Sequence, residues 1–274
     1  MRDLLPSRHF VGLLLMWCCA LALTACSMVG ETGRRRIAFF PDSYMTELGA
    51  SAYDSETSGK YTVITSGKDY DMVQRIGQRI AKASGKDYAW EFRLLDAPDV
   101  VNAFCLPGGK VAVYTGILKV TQNEDALAAV MGHEVAHATA EHGNERMSQG
   151  MVGELVLAVA GGALAQWTDM DNATREGVMQ ALGMGAQVGV LLPFSRKHES
   201  EADEIGLRYL VRAGYNPEEA PKLWERMAQL GGGGTPEFMS THPDPMRRAE
   251  ELRNLIPKIV AEEGGKRIQL PRKS

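Results

Sequence analysis

Apolar residues recur at helical spacing along most of the chain and alternate with a period of two in only a short stretch. Asp69 to Ser84 places Met72, Val73, Ile76 and Ile80 on one face, which predicts an amphipathic helix stopped by Gly85. Glu47 to Ala52 reads as a shorter helix before it. Tyr88 to Leu95 alternates and is read as a strand. Asn102 to Phe104 and the turn Pro107-Gly108-Gly109 lead to a second strand, Lys110 to Thr115. Thr121 and Glu124 have capping-box spacing ahead of a stripe through Leu127 and Val130, so a helix is expected there. Ser195 is placed to cap another, SRKHESEADEIGLRYLVRA, ended by Gly214. Asn216, Pro217 and Glu219 open a third. Gly231 to Gly234 reads as a flexible break, and Met246 to Val260 as a last amphipathic helix.

Two apolar, glycine-rich segments, Met151 to Trp167 and Gly177 to Phe194, approach the length of a membrane span. Glu154, Gln166, Gln180, Gln187 and Pro193 interrupt them. A helical hairpin over 151–194, docked on the core or dipping into a bilayer surface, is therefore expected. The whole pattern predicts a mainly helical α+β domain with a small antiparallel or mixed sheet. The 45% hydrophobic and 23% charged content fits a globular protein, and a net charge of −4 gives no footprint for nucleic acid.

The N-terminus changes the picture. Arg2 and Arg8 precede an apolar run, Phe10 to Leu23, that is short for a membrane span. It ends in Leu23-Thr24-Ala25-Cys26, which resembles the lipobox of bacterial lipoproteins. The expected organisation is a signal peptide over 1–25, a lipidated tether over 26–46 beginning at Cys26, a catalytic domain over 47–260 and a loose tail over 261–274. Arg34-Arg35-Arg36 in the tether is read as a solvated charge run. Several acyl chains on one residue anchor a protein stably. With Cys18 and Cys19 removed and Cys26 lipidated, Cys105 is left alone as a small buried residue, and no intrachain disulfide is expected.

The candidate chemistry sits in His133-Glu134-Val135-Ala136-His137. On a helix, His133 and His137 share a face one turn apart and can hold one Zn²⁺ at about 2.0–2.1 Å each. Glu134 points about 100° away, too far round to be a ligand but able to act as general base on a water. A catalytic zinc needs a third protein ligand. Glu199 and Asp203, spaced i,i+4, are the candidates: one to bind metal, the other to hold the free ring nitrogen of a ligand histidine. Glu201 lies about 200° from Glu199 and does not fit. The metzincin pattern is excluded, because it needs Gly and His where the chain has Ala140 and Gly143. His142 and His198 do not fit the ligand spacing and are read as structural or surface residues.

HEVAH, then FSRKHESEAD, then THPDPMRR, with NAFCLPGGKVAVYTGIL ahead of the first, resemble peptidase family M48. Its members include HtpX-like heat-shock proteases, CAAX prenyl endopeptidases and periplasmic lipoprotein proteases. The resemblance covers about Glu47 to Ile256. It implies a zincin (gluzincin) fold, one Zn²⁺ held by His133, His137 and Glu199 with Asp203 behind them, and endopeptidase activity. It also puts His242 and Arg248 over the metal, where His242 would either gate the fourth position or, with Arg248, stabilise an oxyanion. The chain departs from HtpX and the prenyl endopeptidases in lacking a clear multi-span membrane domain, and the C-terminal helical repeats of some periplasmic members are not expected, for want of room. The expected protein is a lipid-anchored zinc endopeptidase of the cell envelope, facing the periplasm, with Ser27 favouring the outer membrane. Its expected substrates are unfolded or misassembled envelope proteins, bound through Gly108, Gly109 and an exposed edge strand at Lys110, Val111, Ala112 and Val113. The alternatives are a membrane-tethered chaperone or assembly scaffold with latent proteolysis, and a zinc-binding protein without hydrolysis, against which Glu134 argues.

Overall fold

The computed structural model describes residues 26–152, 194–230 and 237–266. The expected signal peptide, nearly all of the 151–194 hairpin, the Gly231–Gly234 break and the chain from 267 onward lie outside the described residues. A short hairpin of β1 (Cys26–Met28) and β2 (Arg35–Ile37) comes first. Helix α1 (Asp42–Thr57), strand β3 (Thr62–Ile64) and helix α2 (Lys68–Ser84) follow. Strands β4 (Glu91–Asp96), β5 (Ala103–Leu106) and β6 (Lys110–Tyr114) complete a sheet. Helices α3 (Thr115–Thr121), α4 (Glu124–Thr139), α5 (Arg196–Ala213), α6 (Glu219–Gln229), α7 (Glu237–Thr241) and α8 (Pro245–Glu263) make up most of the rest. A further helical run occupies 142–152. The result is the mainly helical α+β fold that the pattern predicts.

The sheet is mixed, in the order β3-β4-β6-β5, with β4 and β6 parallel and the other pairs antiparallel. This corrects one expectation. Lys110 to Tyr114 is an inner strand, paired with β4 on one side and β5 on the other. Its main-chain groups are therefore engaged, and Lys110, Val111, Ala112 and Val113, with Gly108 and Gly109 at their entry, do not offer a free edge to a substrate. Val111, Ala112 and Val113 are fully buried. Three apolar residues in a row mark a strand covered on both faces, which the sequence reading took for the edge. The edges are β3 and β5, and of the two β5 packs on the helix that carries His133 and His137.

Helix α4 is the axis of the domain. It packs on α5, α2, α6 and β5, so from Ala126 to Thr139 nearly every side chain is buried. Its start is not the expected capping box. Thr121 ends α3, Gln122 takes a left-handed conformation (φ 64), and the Asn123 side chain caps α4 by accepting from the Ala126 amide at 2.8 Å. Ser195, Gly85 and Gly214 act as the sequence indicates, Gly85 and Gly214 as left-handed helix ends. Helix α1 is longer than expected and packs on β5 and β6.

The segment read as a tether is folded onto the domain. Arg34 donates to Glu145 and Glu201, and the buried Arg36 pairs with Glu141 and with the Ala140 carbonyl. Only Arg35 of the basic run is exposed. The described fold continues past the expected boundary at 261: α8 runs to Glu263, whose buried carboxylate receives Arg208 and Arg212 from α5. Among the described residues, no helix is long and apolar enough to cross a membrane.

Candidate metal centre

His133 and His137 stand on α4, and Glu199 and Asp203 on α5, where the two helices touch. Two glycines allow this approach. A Cβ built at Gly132 would lie 3.2 Å from the Gly206 carbonyl oxygen, and one at Gly206 would lie 2.9 Å from the His133 amide nitrogen. The Nε2 atoms of His133 and His137 are 3.0 Å apart, and each lies 3.4 Å from the Glu199 carboxylate. His242, just past α7, turns its Nδ1 to within 3.1 Å of Glu199 and 3.2 Å of His133 Nε2. One atom from each of His133, His137, Glu199 and His242 lies within 4.8 Å of the other three, and all four residues are buried. Three imidazole nitrogens and a carboxylate oxygen converging at that spacing are a donor set suited to a divalent transition-metal ion.

Glu134 is next to the cluster. Its Oε1 is buried without a hydrogen-bond partner, with His242 Nε2 at 3.4 Å. A buried carboxylate oxygen left free beside a set of metal donors is suited to receive a proton from a water held there. Burial pushes the Glu134 carboxyl above the ordinary range, although the neighbouring His242 and His133 pull the other way. Glu199 moves oppositely: burial raises it, but the facing His242 and the hydrogen bonds from the imidazoles of His133 and His137 hold it well below its ordinary value. Glu199 is thus an anion ready to bind a cation, and Glu134 a base of higher affinity for protons. Burial drives His137 strongly towards the neutral form that binds metal. In His133 burial and Arg248 act in the same direction, yet the hydrogen bonds to Asp203 and Glu199 outweigh them and raise it to about 9.

Asp203 lies where the sequence puts it, 3.1 Å from His133 Nδ1. Arg248 holds it in turn, with Nε and Nη2 at 2.7 and 2.5 Å from its two oxygens. The same guanidinium reaches Glu199 at 2.9 Å and lies 3.5 Å over the Trp224 ring. Fully buried, Arg248 lies against the two carboxylates and the His133 ring, with Nη2 3.2 Å from His133 Nε2. Its place among them is that of a holder of Glu199 and Asp203. Glu201 points away from the cluster, as the helix angle requires.

His142, read as a structural or surface residue, is fully buried, and its Nδ1 lies 3.0 Å from His137 Nδ1, a contact the sequence does not signal. His198 is buried as well, 3.2 Å from Glu145. Cys105 is half-buried on the free strand β5 and lines a groove with His137, Tyr88, Pro107 and Phe194. Burial pushes its thiol well up, so it is an inert wall rather than a nucleophile.

An α4–α5 pair presenting two histidines and a carboxylate, a free glutamate beside them and a strand edge alongside define a metallopeptidase domain. A model of peptidase family M48 matches residues 68–256. The chain belongs to this family. It is 35% identical over 211 residues to the mitochondrial metalloendopeptidase OMA1 of Arabidopsis thaliana, and 38% identical over 188 residues to that of Schizosaccharomyces pombe. These alignments cover 75% and 68% of the chain, and 41% and 52% of the relatives. A beta-barrel assembly-enhancing protease of Escherichia coli is 28% identical over 197 residues, covering 66% of the chain and 38% of that protein. The chain thus spans about half the length, or less, of these relatives.

Proposed function

We propose that the protein is a zinc-dependent metalloendopeptidase of the cell envelope, anchored by lipid at Cys26. It would cleave unfolded or misassembled proteins. The observation that carries this reading is the buried cluster of His133, His137 and Glu199 with the unpartnered Glu134 oxygen beside it. His133, His137 and Glu199 would hold Zn²⁺, which when bound supplies Lewis-acid polarisation of the scissile carbonyl and acidification of water. Glu134 takes the proton of the attacking water and passes it to the leaving amine. Asp203 keeps His133 in the tautomer with Nε2 free. Substrate would add as a strand to the free edge of β5. There Phe238 already donates to the Val101 carbonyl, and Asn102 Oδ1 accepts from the Ala103 amide, which leaves the Cys105 stretch open.

The envelope setting is supported by the lipobox ending at Cys26 and by the relative named for β-barrel assembly. The outer membrane is the favoured address. A second reading, a scaffold or chaperone with latent proteolysis, is favoured by His242, whose Nδ1 lies among the ligand atoms where a fourth donor would sit. The test is cleavage of unfolded casein by the full chain. We expect activity that a chelator removes and Zn²⁺ restores, and a loss of roughly 10²–10⁴ in rate in Glu134→Gln with zinc still bound. Cleavage that survives exhaustive chelation, or that persists in Glu134→Gln, would refute the mechanism.

A further inference from the structure

The two ligand histidines are supported differently. His133 meets a carboxylate directly. His137 meets another histidine, and behind it a chain of contacts runs to the N-terminal hairpin. His142 Nε2 lies 2.9 Å from Glu201, which accepts from Thr32 Oγ1 at 2.5 Å and from Arg34 Nε at 2.6 Å. Arg34 also donates two bonds to Glu145, at 2.8 and 2.5 Å. The chain is arranged so that His142 can reach back. Helix α4 ends at Thr139, and Glu141 takes a left-handed conformation (φ 55), uncommon for a non-glycine residue. That reversal restarts a helix at His142 beneath His137. Arg36 holds it by pairing with Glu141 and the Ala140 carbonyl. Three residues of the 26–37 hairpin thus hold the groups around one imidazole: Thr32 and Arg34 its carboxylate partner Glu201, and Arg36 the turn that leads into it.

We propose that His142 is a positioning residue for His137, and that the hairpin, through Thr32, Arg34 and Arg36, anchors it. A neutral His137 that offers Nε2 to a metal carries its proton on Nδ1, where His142 Nδ1 accepts it. His142 then carries its own proton on Nε2 and donates it to Glu201. The tautomers of both histidines follow from one fixed carboxylate, by the same logic that orients ligand histidines through an outer carboxylate. The difference is that the carboxylate stands one residue further out and is fixed by a segment remote in sequence.

This rests on the reading of the cluster as a zinc site, and the test separates the two. Zinc affinity of the full chain is measured by competition with a chromophoric chelator, and the visible bands of the Co²⁺-substituted protein are recorded. His142→Phe keeps a ring against Phe194 and His198 but has no acceptor. His142→Asn loses the ring but places an oxygen near the Nδ1 position. We expect His142→Phe to weaken zinc binding by about 10- to 100-fold and to alter the cobalt bands, and His142→Asn to recover much of both. A merely structural histidine would give the opposite order, with Asn the worse. Arg34→Met, at the outer end, is expected to weaken zinc binding in the same direction by several-fold, and carries the test if His142→Phe does not fold. Unchanged affinity and bands in His142→Phe, or Asn worse than Phe, would overturn the positioning role. Wild-type protein that binds no zinc would overturn the metal site itself.

Discussion

Gly206 on α5 lies directly against His133 on α4: a Cβ there would stand 2.9 Å from the His133 amide nitrogen and 3.0 Å from its Cα. Both obstacles are backbone, so neither can swing aside. The same contact sets how far Glu199 and Asp203 stand from the two histidines. Gly206→Ala should force the helices apart and destabilise the fold by about 1–3 kcal/mol, as overpacking does. It should also weaken zinc binding although it touches no ligand. Thermal unfolding and zinc competition on one sample check both. Unchanged affinity would mean that the α4–α5 spacing does not govern the site.

Among the described residues, Asp203 is the carboxylate behind His133 Nδ1, and it is clamped by Arg248. Asp203→Asn should weaken zinc binding by about 10- to 100-fold. Glu199→Ala should abolish stoichiometric binding, because it removes the carboxylate that lies 3.4 Å from both His133 Nε2 and His137 Nε2. Metal content after dialysis at defined free zinc distinguishes the two.

His242 is expected to act as a gate. Its Nδ1 reaches Glu199 and the His133 nitrogen that would face a metal, and Pro243 restricts the backbone that carries it. His242→Ala should raise the casein cleavage rate with zinc retained. A fall of roughly 10²–10³ in rate with zinc retained would instead make it an oxyanion donor.

Acid should loosen the C-terminal helix. Arg212 first, with Lys266 and Arg208 also contributing against the opposing effect of burial, holds the Glu263 carboxyl down at about 2. An unfolded glutamate titrates near about 4.3. A carboxyl depressed on folding contributes stability that is complete above the unfolded value and is lost as pH falls towards the folded one. The Glu263 contribution should therefore be intact at neutral pH and disappear between about pH 4.3 and about 2. Glu263→Gln should lower the melting temperature at pH 7 and flatten the acid limb over that interval. Parallel acid limbs for the two proteins would show that Glu263 does not contribute.

The local chemistry was legible in the sequence. His133, Glu134 and His137 are fixed by four-residue spacing on one helix, and Glu199 and Asp203 by the same spacing on another, since helical geometry needs no tertiary information. The stops at Gly85 and Gly214 and the Ser195 cap are likewise local. What the sequence could not determine was which elements meet. A run such as Val111-Ala112-Val113 says that both faces are covered but not by what, so the inner strand was taken for the edge. His142 is five residues from His137, off the helical repeat, and only the left-handed Glu141 brings it back. Arg34 and Arg36 read as solvated because charge runs usually are; their partners Glu145, Glu201 and Glu141 lie more than a hundred residues away. Ion pairs between distant segments leave no periodicity in a sequence, because what creates them is the packing of the hairpin onto α5 and the helix beginning at His142.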